Sequence, residues 1–202
     1  DGGLRPNSNP NDYFFKAAQS FHITEKVGID LPSESTSRLA DRTYKKSWFQ
    51  QNKDFYCNYK TRATKAQQTP FLLQLAAENC VDGDKIRAGD AVNFSIGQGD
   101  TVVTPLKLLQ MYAAIGNGGT IWQAKIAKAI VKTDGTVIKT FEPNKLGTLT
   151  AAPSTIKFLQ GALREVVVSG TGAGVFAGFP IEVSGKTGTC LLYTSDAADE
   201  ED

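Results

Sequence analysis

The sequence predicts a mixed α/β layer fold, because helical and strand patterns both occur along its 202 residues. Apolar residues with helical spacing follow several helix-start signals. In the middle of the chain, the two-residue turn signal Asp134-Gly135 separates two strand-like runs. A further strand-like run, "IEVSGKTGT", comes late. Together these observations predict helices packed against a small number of strands.

Four helices are predicted from their start signals and apolar spacing. The first runs from Pro10 to Phe21, and the last from Ser154 to Val167. Thr69-Pro70 and Thr104-Pro105 each begin one of the other two, because threonine can cap a helix and proline fits its first turn. The helix after Thr104 should stop at "GNGG". The expected inward faces are Tyr13, Phe14, Ala17, Ala18 and Phe21; Phe71, Leu72, Leu75 and Ala76; Leu108, Met111, Tyr112 and Ile115; and Ile156, Leu159, Leu163 and Val166.

The remaining stretches are interpreted as strands, loops and turns. "GIDLPSES" is expected to be extended and to end at Pro32, and the polar region 38–66 is interpreted as a long surface excursion. "KIAKAIVKT" and "TVIKTF" should form a hairpin, since Gly135 tolerates the positive φ that a tight turn demands. Glycines crowd "SGTGAGVFAGF", and "IEVSGKTGT" is predicted to be the last strand.

Composition and charge exclude several classes of protein. Hydrophobic residues make up 41% of the chain and charged residues 21%, as in ordinary globular proteins. A net charge of +1 provides no field that would attract nucleic acid, so no nucleic-acid partner is expected. No apolar run reaches the roughly 20 residues of a membrane helix. The opening "DGGLRPNSNPND" is typical of a loop interior, so we expect that any anchor belongs to the parent protein.

The cysteines and the histidine give little evidence of a site. Cys57, Cys80 and Cys190 are too few and too far apart for a zinc site of paired cysteines. A Cys57–Cys80 disulfide would fit a compartment outside the cytoplasm, but two ordinary buried thiols are the favoured interpretation. His22, the only histidine, is interpreted as structural, and a single histidine makes a Ser-His-Asp triad a poor hypothesis. No cofactor or metal is expected.

Three phosphate, nucleotide or metal interpretations of the glycine-rich segments fail on counting. A P-loop needs a glycine five residues before Gly185, where Pro180 stands. "GAGVFA" matches a loose dinucleotide pattern, but the chain after it leaves no room for a crossover helix. "DGDKIRAGD" lacks the carboxylate spacing of a calcium loop.

The remaining candidate is Lys186-Thr187-Gly188 on a strand. Gly188 would let a ligand backbone approach the strand edge, and Lys186 would place a positive charge beside it. Thr187 and Thr189 offer hydroxyl donors to a ligand carboxylate, and the Thr189 N–H could face a developing oxyanion. These groups suit acyl transfer on a peptide that ends in a carboxylate. An exposed turn with a solvated lysine is the alternative.

Longer blocks give these residues a context. "GDAVNFSIGQGDTVVTPLKLLQMYAAIGNGGT", "GTGAGVF" and "SGKTGT" resemble, in that order, the transpeptidase domain of class B penicillin-binding proteins. "PNDYFFKAAQSF", "GIDLPSES" and "LADR" look like upstream segments of the same family, and the elongation-specific penicillin-binding protein 2 type is the closest match. The resemblance covers residues 1–189. It implies an incomplete serine β-lactamase-like fold, with helices packed on a largely antiparallel sheet.

The resemblance also implies an activity and its partners. The family consists of D,D-transpeptidases, whose serine attacks the penultimate D-Ala of a peptidoglycan stem peptide and passes the acyl group to a neighbouring stem. β-Lactams are the expected inhibitors. A membrane glycan polymerase of the cell-elongation machinery is the expected protein partner. The expected location is the extracytoplasmic face of the cell membrane.

Of the three family motifs, S-x-x-K, S-x-N and K-T-G, only the third is convincing here. Ser154 and Lys157 have S-x-x-K spacing, but with Arg164 they lie opposite the apolar stripe of their helix and should face water. No S-x-N exists, because Pro10 stands where "NSNPN" would need asparagine. We therefore expect the serine to be encoded upstream of Asp1. The resemblance makes Lys186 the catalytic residue of this chain, and it assigns substrate binding to the residues Thr187, Gly188 and Thr189.

The end of the chain is predicted to differ from the family. Residues 1–189 are interpreted as a partial transpeptidase domain that lacks the first two motifs and the final strands. Residues 190–202, "CLLYTSDAADEED", are interpreted as a tail outside the family that resembles a translated sequencing adapter. Two hypotheses about function follow. The chain is either a fragment of a peptidoglycan transpeptidase or a non-catalytic binding or scaffold domain of the same fold.

Overall fold

The computed structural model describes residues 13–188, and within that range the chain forms eight helices and four short strands. The helices are α1 (Tyr13–Ser20), α2 (Arg42–Cys57), α3 (Tyr59–Arg62), α4 (Pro70–Asp82), α5 (Ala88–Ser95), α6 (Pro105–Gly116), α7 (Pro153–Val168) and α8 (Ala173–Phe176). The strands are β1 (Thr120–Trp122), β2 (Ala129–Val131), β3 (Val137–Thr140) and β4 (Lys145–Thr148).

The described strands form two antiparallel pairs. β1 pairs with β4, with Ile121 opposite Gly147, and β2 pairs with β3, with Ile130 opposite Lys139. The β2–β3 pair is the hairpin that the sequence predicts, and Gly135 in its turn has a φ of +86°. Helices with antiparallel strands confirm the predicted mixed fold class.

Both predicted threonine–proline helix starts are confirmed. The Thr69 hydroxyl accepts the backbone N–H of Leu72 at 3.3 Å, and α4 begins at the next residue. The Thr104 hydroxyl accepts the backbone N–H of Lys107 at 3.2 Å, and α6 begins likewise at Pro105. Each threonine satisfies one of the donors that a helix start leaves without an intrahelical acceptor. α6 ends at Gly116, inside the predicted "GNGG" stop.

The predicted inward faces are partly wrong. α6 buries Lys107, Gln110 and Ala114, whereas Leu108 is 46% exposed. α1 buries Phe15, while Tyr13 is 70% exposed. In α4, Ala76 is buried as predicted, but Phe71 is 70% exposed, and in α7 Ile156 is buried as predicted. An apolar stripe predicts which face of a helix is turned to the core, but the neighbouring elements decide which residues of that face are covered.

The interpretation of region 38–66 as a surface excursion is wrong, because α2 and α3 occupy most of it. The Asp41 side chain caps α2 by accepting the backbone N–H of Tyr44 at 2.8 Å. The end of α2 is bonded to α4 by a Cys57–Cys80 disulfide with a Cα–Cα distance of 4.8 Å, so the thiol interpretation is also wrong. α2 has no fully buried residue, but Tyr44, Trp48 and Tyr56 are partly buried at helical spacing, a pattern that the interpretation of this region as a loop overlooked. α5 was not predicted either.

Two apolar clusters form the core. One gathers Phe15, Ile23, Leu39 and Ile86. The other gathers Ala114, Ile121, Leu149 and Ile156. The second cluster packs α7 against α6 and β1, and therefore fixes the helix from which the candidate site is built.

The predicted last strand does not form within the part of the chain that the structure describes. Residues 181–188 have neither helix nor strand, and their backbone pairs with no other strand there. A strand is defined by the hydrogen bonds of a ladder, so a β-like sequence without a neighbouring strand remains an extended segment.

Candidate functional site

Lys186, Thr187 and Gly188 end an extended segment, residues 181–188, which we call the Lys186 segment. Backbone groups of this segment bind α7. The Gly185 N–H donates to the Leu163 carbonyl oxygen at 3.0 Å. The Arg164 Nη1 donates to the Val183 carbonyl oxygen at 2.7 Å. Both contacts come from the C-terminal half of α7. A regular helix therefore determines where the segment runs.

The predicted catalytic residue, Lys186, is exposed. Its Nζ donates to the backbone carbonyl oxygen of Thr187 at 2.6 Å. Since this acceptor is a neighbouring peptide group at the surface, the ammonium group can exchange it for a ligand. Lys186 thus provides an accessible positive charge at the edge of the segment.

The predicted substrate-binding residues lie next to Lys186. The Thr187 Oγ1 is 3.2 Å from the Thr171 Oγ1, and either hydroxyl can be the donor. A Cβ placed on Gly188 would meet nothing within 4 Å, so the space beside this glycine is open. Thr189 lies outside the described residues, so the site is described as far as Gly188.

The Ser154 and Lys157 pair lies elsewhere on α7. Both residues are exposed, as the sequence analysis predicted. Nine residues of helix separate Ser154 from Leu163, or about 13 Å at the usual rise per residue. The prediction was wrong for Arg164, because its guanidinium group binds the Val183 carbonyl oxygen instead of facing only water. Within residues 13–188, the polar contacts to the segment come from Leu163, Arg164 and Thr171, and none of these is a serine.

Sequence reasoning missed Arg164 and Thr171 as parts of the site. Arg164 lies on the polar side of an amphipathic helix, where charged residues are usually solvated. Thr171 lies between two glycines in a turn, and nothing in this local sequence indicates a contact with Thr187. Sixteen residues separate the two threonines, and only the folded chain brings them together.

A second feature is a cavity of about 260 Å³ between α1, α2 and α5. The Lys45 Nζ lies 2.8 Å from the Asp100 Oδ2 and 3.7 Å from the Asp90 Oδ2. Arg87 pairs with Glu78 at 3.1 Å. Two positive groups thus meet carboxylates from neighbouring elements. The charged side chains around the cavity pair with one another and so connect α2 with α5. The Lys186 segment is not part of the cavity lining.

The same network changes the pKa of an aromatic side chain that lines the cavity. Burial raises the pKa of the Tyr56 hydroxyl, and the nearby Asp100 carboxylate adds to the increase, while Lys45 opposes it. Tyr56 therefore stays protonated at neutral pH and does not supply a general base.

Neither a metal centre nor a membrane span was found in the part of the chain that the structure describes. Residues 13–188 contain no cluster of three or more metal-binding side chains. Across the same range, no helix combines the length and the apolar character needed to cross a bilayer.

Comparison with protein families gives the context for these residues. The family model described as "Penicillin binding protein transpeptidase domain" matches residues 6–202, which is nearly the whole chain. The chain belongs to the penicillin-binding protein transpeptidase family. The match includes residues 190–202, which the sequence analysis interpreted as lying outside the family, and their origin stays a hypothesis.

Curated proteins with similar sequences have names that belong to the same family. Penicillin-binding protein 2A of Bacillus subtilis (strain 168) is 33% identical over 111 residues, which are 52% of this chain and 15% of that protein. Penicillin-binding protein H of the same organism is 34% identical over 114 residues, or 54% of this chain and 16% of that protein. A protein of Mesostigma viride named "Peptidoglycan D,D-transpeptidase FtsI homolog" is 34% identical over 107 residues, or 47% of this chain and 17% of that protein.

A solved structure supports the fold. Penicillin-binding protein 2B from Streptococcus pneumoniae (strain R6) superimposes with a TM-score of 0.55 at 19% sequence identity, over 93% of this chain and 26% of that chain. At this identity the likeness concerns the fold alone. The chain thus spans about a sixth of the length of these curated relatives and about a quarter of the solved structure.

Proposed function

We propose that this chain is part of a peptidoglycan D,D-transpeptidase that cross-links stem peptides through an acyl-serine intermediate. The observation that carries the proposal is the extended Lys186-Thr187-Gly188 segment, held on α7 with an exposed ammonium group and open space beside its glycine. The family to which the chain belongs supports the type of reaction.

In the proposed reaction, a serine oxygen attacks the carbonyl carbon of the penultimate D-Ala. The peptide bond to the terminal D-Ala breaks, the serine proton reaches the leaving amine through neighbouring groups, and an acyl-serine ester remains. An amine of a second stem peptide then attacks the ester, forms the cross-link and returns a proton to the serine. We propose that this serine is encoded outside the present chain.

The groups of this chain have binding and electrostatic roles in the proposed mechanism. Lys186 meets the terminal carboxylate of the donor peptide and supports proton transfer near the serine. Thr187 and Thr189 donate hydroxyl hydrogens to that carboxylate. Gly188 allows the peptide backbone to pair along the edge of the segment that faces away from α7. β-Lactams use the same groups because they carry a carboxylate beside a reactive amide.

We propose that the parent protein works at the extracytoplasmic face of the cell membrane. The Cys57–Cys80 disulfide supports this location, because disulfides form and persist mainly in oxidising compartments outside the cytoplasm. The finer proposal is that the protein is of the elongation-specific penicillin-binding protein 2 type, with a membrane glycan polymerase as its partner. The overall resemblance of the chain to that type supports this finer proposal. Depletion in the source cells tests it, because loss of an elongation enzyme should round the cells, whereas loss of a septal enzyme should produce filaments.

Replacement of Lys186 tests the catalytic proposal in the complete protein that carries this chain. One charge-assisted contact that strengthens in the transition state contributes about 2–4 kcal/mol, so Lys186→Ala should lower the rate of acylation by penicillin roughly 30- to 1000-fold. Folding should stay nearly unchanged, because the Lys186 side chain is exposed. Lys157→Ala is the matched control, since it removes an exposed lysine from α7 and should leave the rate unchanged.

A fluorescent penicillin and a denaturing gel measure this rate. A Lys186→Ala protein that is acylated at the parent rate would show that Lys186 has no catalytic role. A complete protein that never forms an adduct would instead favour a non-catalytic binding or scaffold domain.

A further inference from the structure

We propose that Arg164 and Thr171 are positioning residues for the Lys186-Thr187-Gly188 segment, and this inference rests on the proposed transpeptidase function. Arg164 fixes the backbone of the segment. Thr171 orients the Thr187 hydroxyl toward a substrate carboxylate. Neither residue touches the reacting atoms, so both act through the segment.

The contacts of Arg164 and Leu163 lie on one edge of the extended segment. Backbone groups two residues apart point to the same edge of an extended chain, and Val183 and Gly185 both point to α7. Arg164 also lies 3.8 Å from Glu182, but that carboxylate is 91% exposed and contributes little. The short Arg164–Val183 contact is therefore the main side-chain anchor, and among residues 13–188 no backbone hydrogen bond occupies the opposite edge, where we place the peptide.

The turn after α7 holds Thr171 in place. On either side of it, Gly170 N–H donates to the Glu165 carbonyl oxygen and Gly172 N–H donates to the Val166 carbonyl oxygen, both at 2.9 Å. A Cβ on Gly170 would lie 2.9 Å from the Val166 Cα, so this position needs glycine. Because both of its neighbours are tied to the end of α7, the hydroxyl of Thr171 has a defined position next to Thr187.

The contact between the two hydroxyls affects how Thr187 can bind an anion. A threonine hydroxyl has one hydrogen to donate and two lone pairs to accept with. When Thr171 donates to the Thr187 Oγ1, the single hydrogen of Thr187 is free to point at a carboxylate. Without Thr171, the Thr187 hydroxyl rotates freely and loses this preference. Thr171 thus contributes to selectivity for a ligand that carries a free carboxylate.

The test compares two ligands in the complete protein. Rates of acylation are measured with a penicillin and with its methyl ester, which lacks the carboxylate charge. Thr171→Val should lower the rate for the free acid roughly 2- to 10-fold, as expected for a lost hydrogen bond between two neutral hydroxyls, with a much smaller effect on the ester. Thr171→Ser keeps the hydroxyl and should restore the rate for the free acid.

Variants of Arg164 test the backbone anchor. Arg164→Met should lower the rates for both ligands by a similar factor, because the whole segment loses its position. Arg164→Lys keeps a donor and should recover part of each rate. Lys157→Met changes an exposed residue of the same helix and should leave both rates as in the parent protein.

The possible outcomes separate this inference from the proposed function. If the unmodified complete protein forms no adduct, the proposed function fails and the inference fails with it. If that protein is acylated but Thr171→Val keeps both rates, or loses both equally without rescue by serine, the orienting role of Thr171 is refuted. Unchanged rates in Arg164→Met would refute the backbone anchor.

Discussion

Removal of the Cys57–Cys80 disulfide should destabilise the helical unit that α2, α3 and α4 form. The bond closes a loop with a sequence separation of 23 residues, and it joins the end of α2 to α4. Replacing both cysteines with serine removes the cross-link at little cost in packing, because Cys57 is exposed and Cys80 is only partly buried. The free energy of unfolding should therefore change mainly through the entropy of the unfolded chain.

The loop length gives the size of the effect. A closed loop of this length restricts the unfolded chain by about 3.4 kcal/mol at 25 °C in the chain-entropy description. Because α2 has no fully buried residue, its packing does little to compensate when the cross-link is removed. At the usual dependence on urea for small proteins, the unfolding midpoint should fall by about 1–3 M.

Tryptophan fluorescence can follow this unit directly. The chain has two tryptophans, so a Trp122→Phe background leaves Trp48 of α2 as the only reporter. Trp48 lines the same cavity as Asn79 of α4, so its emission should change when α2 leaves α4. A Cys190→Ser background prevents mispaired thiols. Urea titrations then compare the disulfide-bonded form, the reduced form and the double serine variant.

Two results would refute this reasoning. The first is an unchanged urea midpoint in the double serine variant, which would mean that the cross-link does not limit the unfolded chain. The second is a thiol assay on denatured, unreduced protein that finds Cys57 and Cys80 free. The reduced form and the serine variant should have the same midpoint, and this comparison controls for the substitutions themselves.

Three further predictions concern stability and reactivity. Burial lowers the pKa of Lys107 in the folded chain below its ordinary value of 10.5. At pH values between the lowered pKa and 10.5, the unfolded chain therefore binds more protons than the folded chain. The urea midpoint should rise with pH in this window, and Lys107→Met should abolish the rise. Gly119→Ala should cost about 1–3 kcal/mol in a urea titration, because Gly119 has a φ of +110° and its Cβ would lie 2.8 Å from the Ile156 Cδ1. Gly116→Ala, where the space is open, is its control, and equal midpoints would contradict the steric argument. The present chain should form no boil-resistant adduct with a fluorescent penicillin, because Ser154 is exposed on α7 and, within residues 13–188, no serine outside the Lys186 segment makes a polar contact with it. A labelled band that Ser154→Ala abolishes would overturn this.

The sequence by itself determined the features that depend on neighbouring residues. Thr69 and Thr104 mark two helix starts because a threonine cap and the proline after it act within one turn. Asp134-Gly135 marks the hairpin because the backbone conformation of a tight turn depends on its own residues. The family was also readable from linear blocks such as "IGQGDTVVTPL", since these keep their order and spacing along the chain.

Only the tertiary structure decided the features that depend on residues distant in sequence. Cys57, at the end of α2, meets Cys80 only after the two helices pack together. Lys107 is buried despite its charge, because the covering elements lie over that face of α6 rather than over Leu108. Residues 181–188 look like a strand but have no neighbouring strand within the described residues, so Arg164 and Thr171 hold them instead. Such contacts have no local pattern, because their free energy comes from groups that only folding brings together.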